Sequence, residues 1–300
     1  MRVILFSTSP DFIRTLPRVL TAAGCEVTAI VSSAKVPGAA ETPSCGGIQM
    51  LYPGDVNSSD FIDKLKSFQA DMFVVVSFGR IFSEDFLSVP KLAAVNIHFS
   101  LLPFYRGAAP IEWAVFNGEK KTGITVFKIC GELDAGDIIN AKSFDIVEGE
   151  SADSLYRRLA KASPDVIRES IRLMRDPDFR PVPQEGAVSF ARRLEKKDGL
   201  VDFRKNSAEI IYRKVLAFSG KINITALIRA ETVIIKEAIP LANAPPGDPG
   251  RVLSLGKNRG FAVNCAEGAL MLTMLQPAGK KCMGGWEFVI GRRLSAGDYI

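Results

Sequence analysis

Six short apolar runs punctuate the first half of the chain. RVILF (2–6), VTAIVSS (27–33), IQMLYP (48–53), DMFVVVSF (71–78), AAVNIH (93–98) and GITVFKI (123–129) each have the length of a strand. The fourth is almost wholly apolar, as a strand buried on both faces in the middle of a parallel sheet must be. Helical spacing appears between the runs. Ser58 or Ser59 caps FIDKLKSF, whose Phe61, Ile62, Leu65 and Phe68 share one face. Another helix-like stretch ends at Gly24 and is interrupted by Pro17, which kinks it or delays its start. Strands alternating with helices predict an α/β fold with an open, doubly wound, mostly parallel sheet.

The pattern changes after DPDFRPVPQEG (176–186). SAEIIYRKVLAF (207–218) reads as one helix capped by Ser207. Short strand candidates follow: NITALIRA, ETVIIKEA, GRVLSL, GFAVNC and ALMLTMLQP, the later ones separated by GDPG, GKNRG and AEG. Such strands and turns predict a small OB-like β-barrel. The expected division is a catalytic domain over 1–189, a linker over 190–206 and the barrel over 207–300. Two domains also suit a length of 300 residues.

Charge sharpens the difference between the halves. Residues 201–300 hold 14 Lys/Arg against 8 Asp/Glu, while 1–200 hold 24 against 25. All of the positive excess sits in the last third, either as a solvated surface or as a face for a polyanion. The opening MRVILFSTSPDF reads as a strand and turn rather than a signal peptide, and no apolar run approaches ~20 residues. The five cysteines are scattered with no CxxC pair, so neither a zinc site nor a disulfide framework is expected. A cytoplasmic location fits that usage. The first turn, STSPDF, has no GxGxxG, which argues against a dinucleotide.

Chemistry concentrates at strand ends, where open α/β sheets bind ligands. AAVNIH delivers Asn96 and His98, the one histidine of the chain, and GITVFKI runs into CGELDAGD with Asp134. At i,i+2 on a strand, Asn96 and His98 project to the same face. An amide donor, an imidazole and a carboxylate are the groups acyl transfer needs: a partner for the oxyanion, a proton carrier and a counter-charge. No Ser or Cys beside them looks activated, which favours direct transfer to an amine. A satisfied strand-end histidine with two loop residues would leave the same bare spacing.

The longer motif discriminates. NIHFSLLPFYRGAAP followed by TGITVFKICGELDAGDII resembles the signature of the 10-formyltetrahydrofolate-dependent formyltransferases. FSTSPDF, SFARRLEKKDGLVDF and LQPAGKKCM extend the resemblance over essentially the whole chain, toward the methionyl-tRNA formyltransferase family. The resemblance implies transfer of the formyl group of 10-formyltetrahydrofolate to the amine of initiator methionyl-tRNA. Asn96, His98 and Asp134 are then catalytic, with no metal. It implies folate contacts at Phe78, Gly79, Arg80, Ile81 and Phe82, at Ser100, Leu101, Leu102 and Pro103, and at Leu133, Gly136 and Asp137. Phe78 and Ile81 read equally as core residues, and either isomer of Leu102–Pro103 is open. Substrate contacts are implied at Phe12, Lys35, Arg106, Lys221, Lys280 and Lys281, with Arg106 alternatively a scaffold. A monomer is expected. Three departures stand out: a short 34–47 loop with Lys35 its only basic residue, FSGKINITAL in place of an NPWP-like string, and Phe99 where Gly or Pro is usual. Two other readings share these residues: a formyltransferase acting on a nucleotide-linked amino sugar, and a tRNA-binding module without activity.

Overall fold

The computed structural model describes residues 1–34 and 47–300. In chain order the elements are β1 (Arg2–Phe6), α1 (Pro10–Ala22), β2 (Glu26–Val31), β3 (Gln49–Leu51), α2 (Ser59–Ser67), β4 (Met72–Val76), α3 (Glu84–Leu87) and β5 (Ala93–His98). Then come β6 (Arg106–Gly107), α4 (Pro110–Asn117), β7 (Lys121–Lys128), β8 (Ile138–Asp145), α5 (Ala152–Arg175) and β9 (Phe190–Ala191). The remainder holds β10 (Leu200–Val201), α6 (Ala208–Phe218), β11 (Thr225–Ile228), β12 (Glu231–Leu241), β13 (Val252–Gly256), β14 (Gly260–Asn264), β15 (Ala269–Pro277), β16 (Met283–Gly284) and α7 (Gly285–Arg292). The chain packs as two units: one of 1–110, 121–145 and 156–192, the other of 111–120, 146–155 and 193–300.

The first unit is built on a seven-stranded sheet in the order β3-β2-β1-β4-β5-β7-β8. The first five strands are parallel, and β7 runs antiparallel to β5. The MFVVV run of β4 is buried at all five positions in mid-sheet, as its composition predicts. Phe6, Phe73, Phe78, Phe82 and Phe86 cluster on one face, with Phe6 5.0 Å from Phe73 and 5.3 Å from Phe86. α2 buries Phe61, Ile62 and Leu65, the face its spacing specifies. α1 starts at Pro10 and runs through Pro17, which is buried beside Leu16 and Leu20. An internal proline costs a helix about 3 kcal/mol, and the apolar face of Phe12, Ile13, Leu16 and Leu20 offsets it.

The second unit holds an antiparallel sheet in the order β10-β11-β12-β15-β14-β13, with β16 on β15; only the short β10–β11 pair is parallel. Register shifts at Glu237 bulge β12 against β15. No pair joins β13 back to β10 or β11 among the described residues, the partly open path of OB-type barrels. α6 begins at a Ser207 cap whose hydroxyl accepts from the Ile210 N–H. Its last residue, Phe218, packs 5.0 Å from Phe116 and 5.4 Å from Trp113. No helix among the described residues is long and apolar enough to cross a membrane.

Candidate active site

β5 is the frame of the site. Its register sets Asn96 opposite Phe127 and His98 opposite Thr125. His98 is 5% exposed. Its Nε2 lies 2.8 Å from the Tyr105 carbonyl oxygen. A carbonyl only accepts, so the ring proton sits on Nε2 and Nδ1 keeps the lone pair. Nδ1 faces Asp134 Oδ2 at 3.6 Å, too long for a hydrogen bond but close for a charge. Burial pushes the His98 pKa below its ordinary value, against the upward pull of the Asp134 carboxylate and the Tyr105 carbonyl. The imidazole is therefore neutral at pH 7. Asn96 is half-buried on the same strand, and its side chain makes no hydrogen bond among the described residues.

Asp134 arrives by a route the strand ends do not suggest. On sequence, it neighbours His98 because both follow the carboxyl end of a strand. In the structure β7 is antiparallel, Lys128 lies opposite Val95, and the end of β7 sits beside the amino half of β5. The β7–β8 connection folds back to return Asp134 to His98. Asp134 takes a left-handed φ of 48°, and its Oδ2 accepts from the Gly107 N–H at 2.7 Å. Gly136 is needed where the connection passes its own strand: a Cβ there would lie 1.8 Å from the Lys128 carbonyl oxygen.

The remaining residues named on the resemblance divide clearly. Phe78 is 5% exposed and stacks 5.9 Å from Phe82, so its ring belongs to the core. Gly79 has φ 67° and Arg80 is exposed. Ile81 is 83% exposed, far from the core position its type allows, and its carbonyl accepts from Asn57. Ser100 is buried and donates to the Phe104 carbonyl, Leu101 is half-buried, and the Leu102–Pro103 bond is cis. Leu133 and Asp137 are exposed. Phe12 is 1% exposed and lies 6.0 Å from Phe99 and edge-on to Tyr156, so it has no ring face left for a substrate. Arg106 is buried and engages Gln184 and Glu132, contacts that match a scaffold. Lys35 lies outside the described residues.

In the second unit, Lys221 is exposed and 3.9 Å from Glu112, whose pKa burial raises. Lys280 and Lys281 are exposed in the turn between β15 and β16. Arg292 is held by Glu231 through bonds of 2.7 and 2.8 Å. Three groups at the site carry no sequence signal of their own: the Tyr105 carbonyl, the Gly107 N–H and the Gln184 amide.

Comparison with known proteins decides the family. Residues 5–171, more than half the chain, match the formyl transferase family, and 193–293 match the formyl transferase C-terminal domain. A methionyl-tRNA formyltransferase of Thermodesulfovibrio yellowstonii is 36% identical over 84% of this chain and 80% of its own. That of Bacillus subtilis is 31% identical over 100% of this chain and 98% of its own. The chain belongs to the methionyl-tRNA formyltransferase family. Solved structures share the fold of this formyltransferase at lower identity. HypX from Aquifex aeolicus, solved with tetrahydrofolic acid, superposes with TM-score 0.68 at 19% identity over 96% of this chain, which spans only 47% of that one. WlaRD, a sugar 3N-formyl transferase, gives 0.65 at 18% over 94% of this chain and 99% of its own. The methionyl-tRNA formyltransferase of Clostridium thermocellum gives 0.59 at 17% over 82% and 95%. Shared fold thus leaves the acceptor open, while the sequence relatives favour one acceptor.

Proposed function

We propose that this formyltransferase moves the formyl group of 10-formyltetrahydrofolate to the methionine amine of charged initiator tRNA, and that it works in the cytoplasm as a monomer. The observation that carries the chemistry is the grouping of an Asn96 amide with no hydrogen-bond partner among the described residues, a buried neutral His98 and an Asp134 carboxylate held by the Gly107 N–H. The Asn96 amide donates to the formyl oxygen as it becomes an oxyanion. His98 Nδ1 takes the proton that the attacking amine sheds and returns it to the nitrogen leaving the formyl carbon. Asp134 stabilises the imidazolium formed between those two events, acting through charge at 3.6 Å. One C–N bond forms, one breaks, and the proton ends on the departing amine.

Exposed Ile81 and Leu133 supply apolar surface for a flat heterocycle. Backbone rather than the buried Phe78 ring serves the ligand along 78–82, and Gly79 lets it approach closely. Lys221, Lys280 and Lys281 are proposed to meet tRNA phosphates, with Lys35 a further candidate. The test compares acceptors in one assay with the same formyl donor. Turnover with charged initiator tRNA and none with amino-sugar nucleotides is expected, and the reverse would overturn the reading. Turnover with neither would mark an inactive tRNA-binding module.

Charge gives a second readout. Affinity for tRNA falls as salt rises, because bound phosphates release counterions. Replacing Lys280 and Lys281 together with alanine flattens that slope by just under about one unit per lost contact. A salt-independent affinity would remove the second unit from tRNA binding.

A further inference from the structure

Three consecutive residues touch both sides of the His98–Asp134 pair. The Tyr105 carbonyl accepts from His98, and the Gly107 N–H donates to Asp134. Between them, the Arg106 guanidinium donates to Gln184 Oε1 from Nε at 3.1 Å and from Nη2 at 2.8 Å. The other end of that amide completes a bridge. Gln184 Nε2 donates to the Asp134 carbonyl at 2.8 Å and to the Gly136 carbonyl at 2.9 Å.

We infer that Gln184 is a positioning residue, bridging Arg106 to the carbonyls of Asp134 and Gly136 and so setting where the Asp134 carboxylate stands against His98. This rests on the site reading given above.

The spacing needs an outside anchor. No hydrogen bond joins imidazole and carboxylate, so nothing between the two groups holds them at 3.6 Å. Asp134 also occupies the left-handed region, φ 48°, which a residue with a side chain keeps only where its surroundings hold it there. Freed of its anchors, that turn relaxes and the carboxylate moves. Gly107 holds the side chain, and Gln184 holds the backbone on both sides of Ala135. Only an amide suits position 184, because the site asks for an acceptor at one end and two donated protons at the other. A carboxylate there keeps the bond to Arg106 and loses both bonds to the turn. The segment carrying Gln184 is tied to the same tripeptide: Ser189 Oγ accepts from the Tyr105 N–H at 2.9 Å, and the Ser189 carbonyl accepts from the Arg106 N–H at 2.9 Å.

The experiment makes Gln184→Ala, Gln184→Glu, Asp134→Asn and the double variant Gln184→Ala/Asp134→Asn in the full chain. It reads kcat and KM with charged tRNA, and the titration of the imidazole by NMR. With one histidine in the chain, that resonance needs no assignment. Gln184→Ala lowers kcat by roughly 10²-fold with KM for tRNA unchanged, the scale of a misplacement near 1 Å. Its imidazole titrates at lower pH than in the parent, because the carboxylate that holds the pKa up has moved away. The double variant is no slower than Asp134→Asn, since the amide acts through that carboxylate. Gln184→Glu, which preserves side-chain size, is as slow as Gln184→Ala. An unchanged imidazole titration in Gln184→Ala, rate losses that multiply in the double variant, or a wild-type rate in Gln184→Glu would each overturn the inference. A wild-type rate in Asp134→Asn would instead defeat the site reading, and the imidazole titration would still judge whether Gln184 holds the carboxylate.

Discussion

Replacing His98 with alanine lowers formyl transfer by roughly 10²–10⁴-fold, the range of a general acid–base group. The protein still folds, since the residue ends a strand whose other positions are unchanged. It folds less stably, because the hydrogen bond from His98 Nε2 to the Tyr105 carbonyl is lost, a net contribution of about 0.5–1.5 kcal/mol. pH adds a second signature. Burial lowers the His98 pKa from its ordinary 6.5, so the acid limb of the rate profile lies below that value. Asp134→Asn moves the limb lower still, because it removes the charge that opposes burial. Stability follows the same sign. Between the lowered folded value and 6.5 the unfolded chain binds the extra proton, so the His98 contribution is intact above that window and is lost as pH falls through it. The alanine variant lacks this component. Turnover near the parental rate in folded His98→Ala would return this histidine to a structural role.

Asn96→Ala is expected to cost roughly 10²–10³-fold in kcat, as loss of an oxyanion donor does. KM for tRNA should hold, because the amide meets charge that exists only in the transition state. Stability should change by no more than about 0.5 kcal/mol, since no partner of the Asn96 side chain is left unsatisfied among the described residues. Single-turnover kinetics separate chemistry from binding. A variant that binds tRNA poorly yet transfers formyl at the parental single-turnover rate would show that Asn96 serves recognition instead.

Legibility in the sequence followed local pattern. β4 was readable because a strand covered on both faces has no polar face to keep. Asn96 and His98 were readable as a pair because strand periodicity is 2. The sequence places Asp134 near His98 but not the route between them: one strand cannot reveal its own direction in a sheet, and β7 runs antiparallel to β5. β8 gives no apolar run to read, because it is the edge strand and all its positions but Ile139 are exposed or half-buried. α5 carries Leu155, Leu159, Val166 and Ile171 at helical spacing, but Pro164 in its middle reads as a stop. Phe12 shows the limit of resemblance, which supplies a position without its packing. Gln184 lies in a polar loop with no period, and its contacts are all 48 residues or more away in sequence.

The second unit takes part of its body from 111–120, so Trp113 and Phe116 leave the ribosome about a hundred residues ahead of Phe218, the ring they pack against. At ~5–20 residues per second, that interval is roughly 5–20 s. For that time the two rings lack the Phe218 face that packs against both of them in the folded unit. Chaperone dependence should therefore peak midway through translation. Splitting the gene near codon 193, or shuffling its 3′ part onto another scaffold, would prolong the exposure indefinitely.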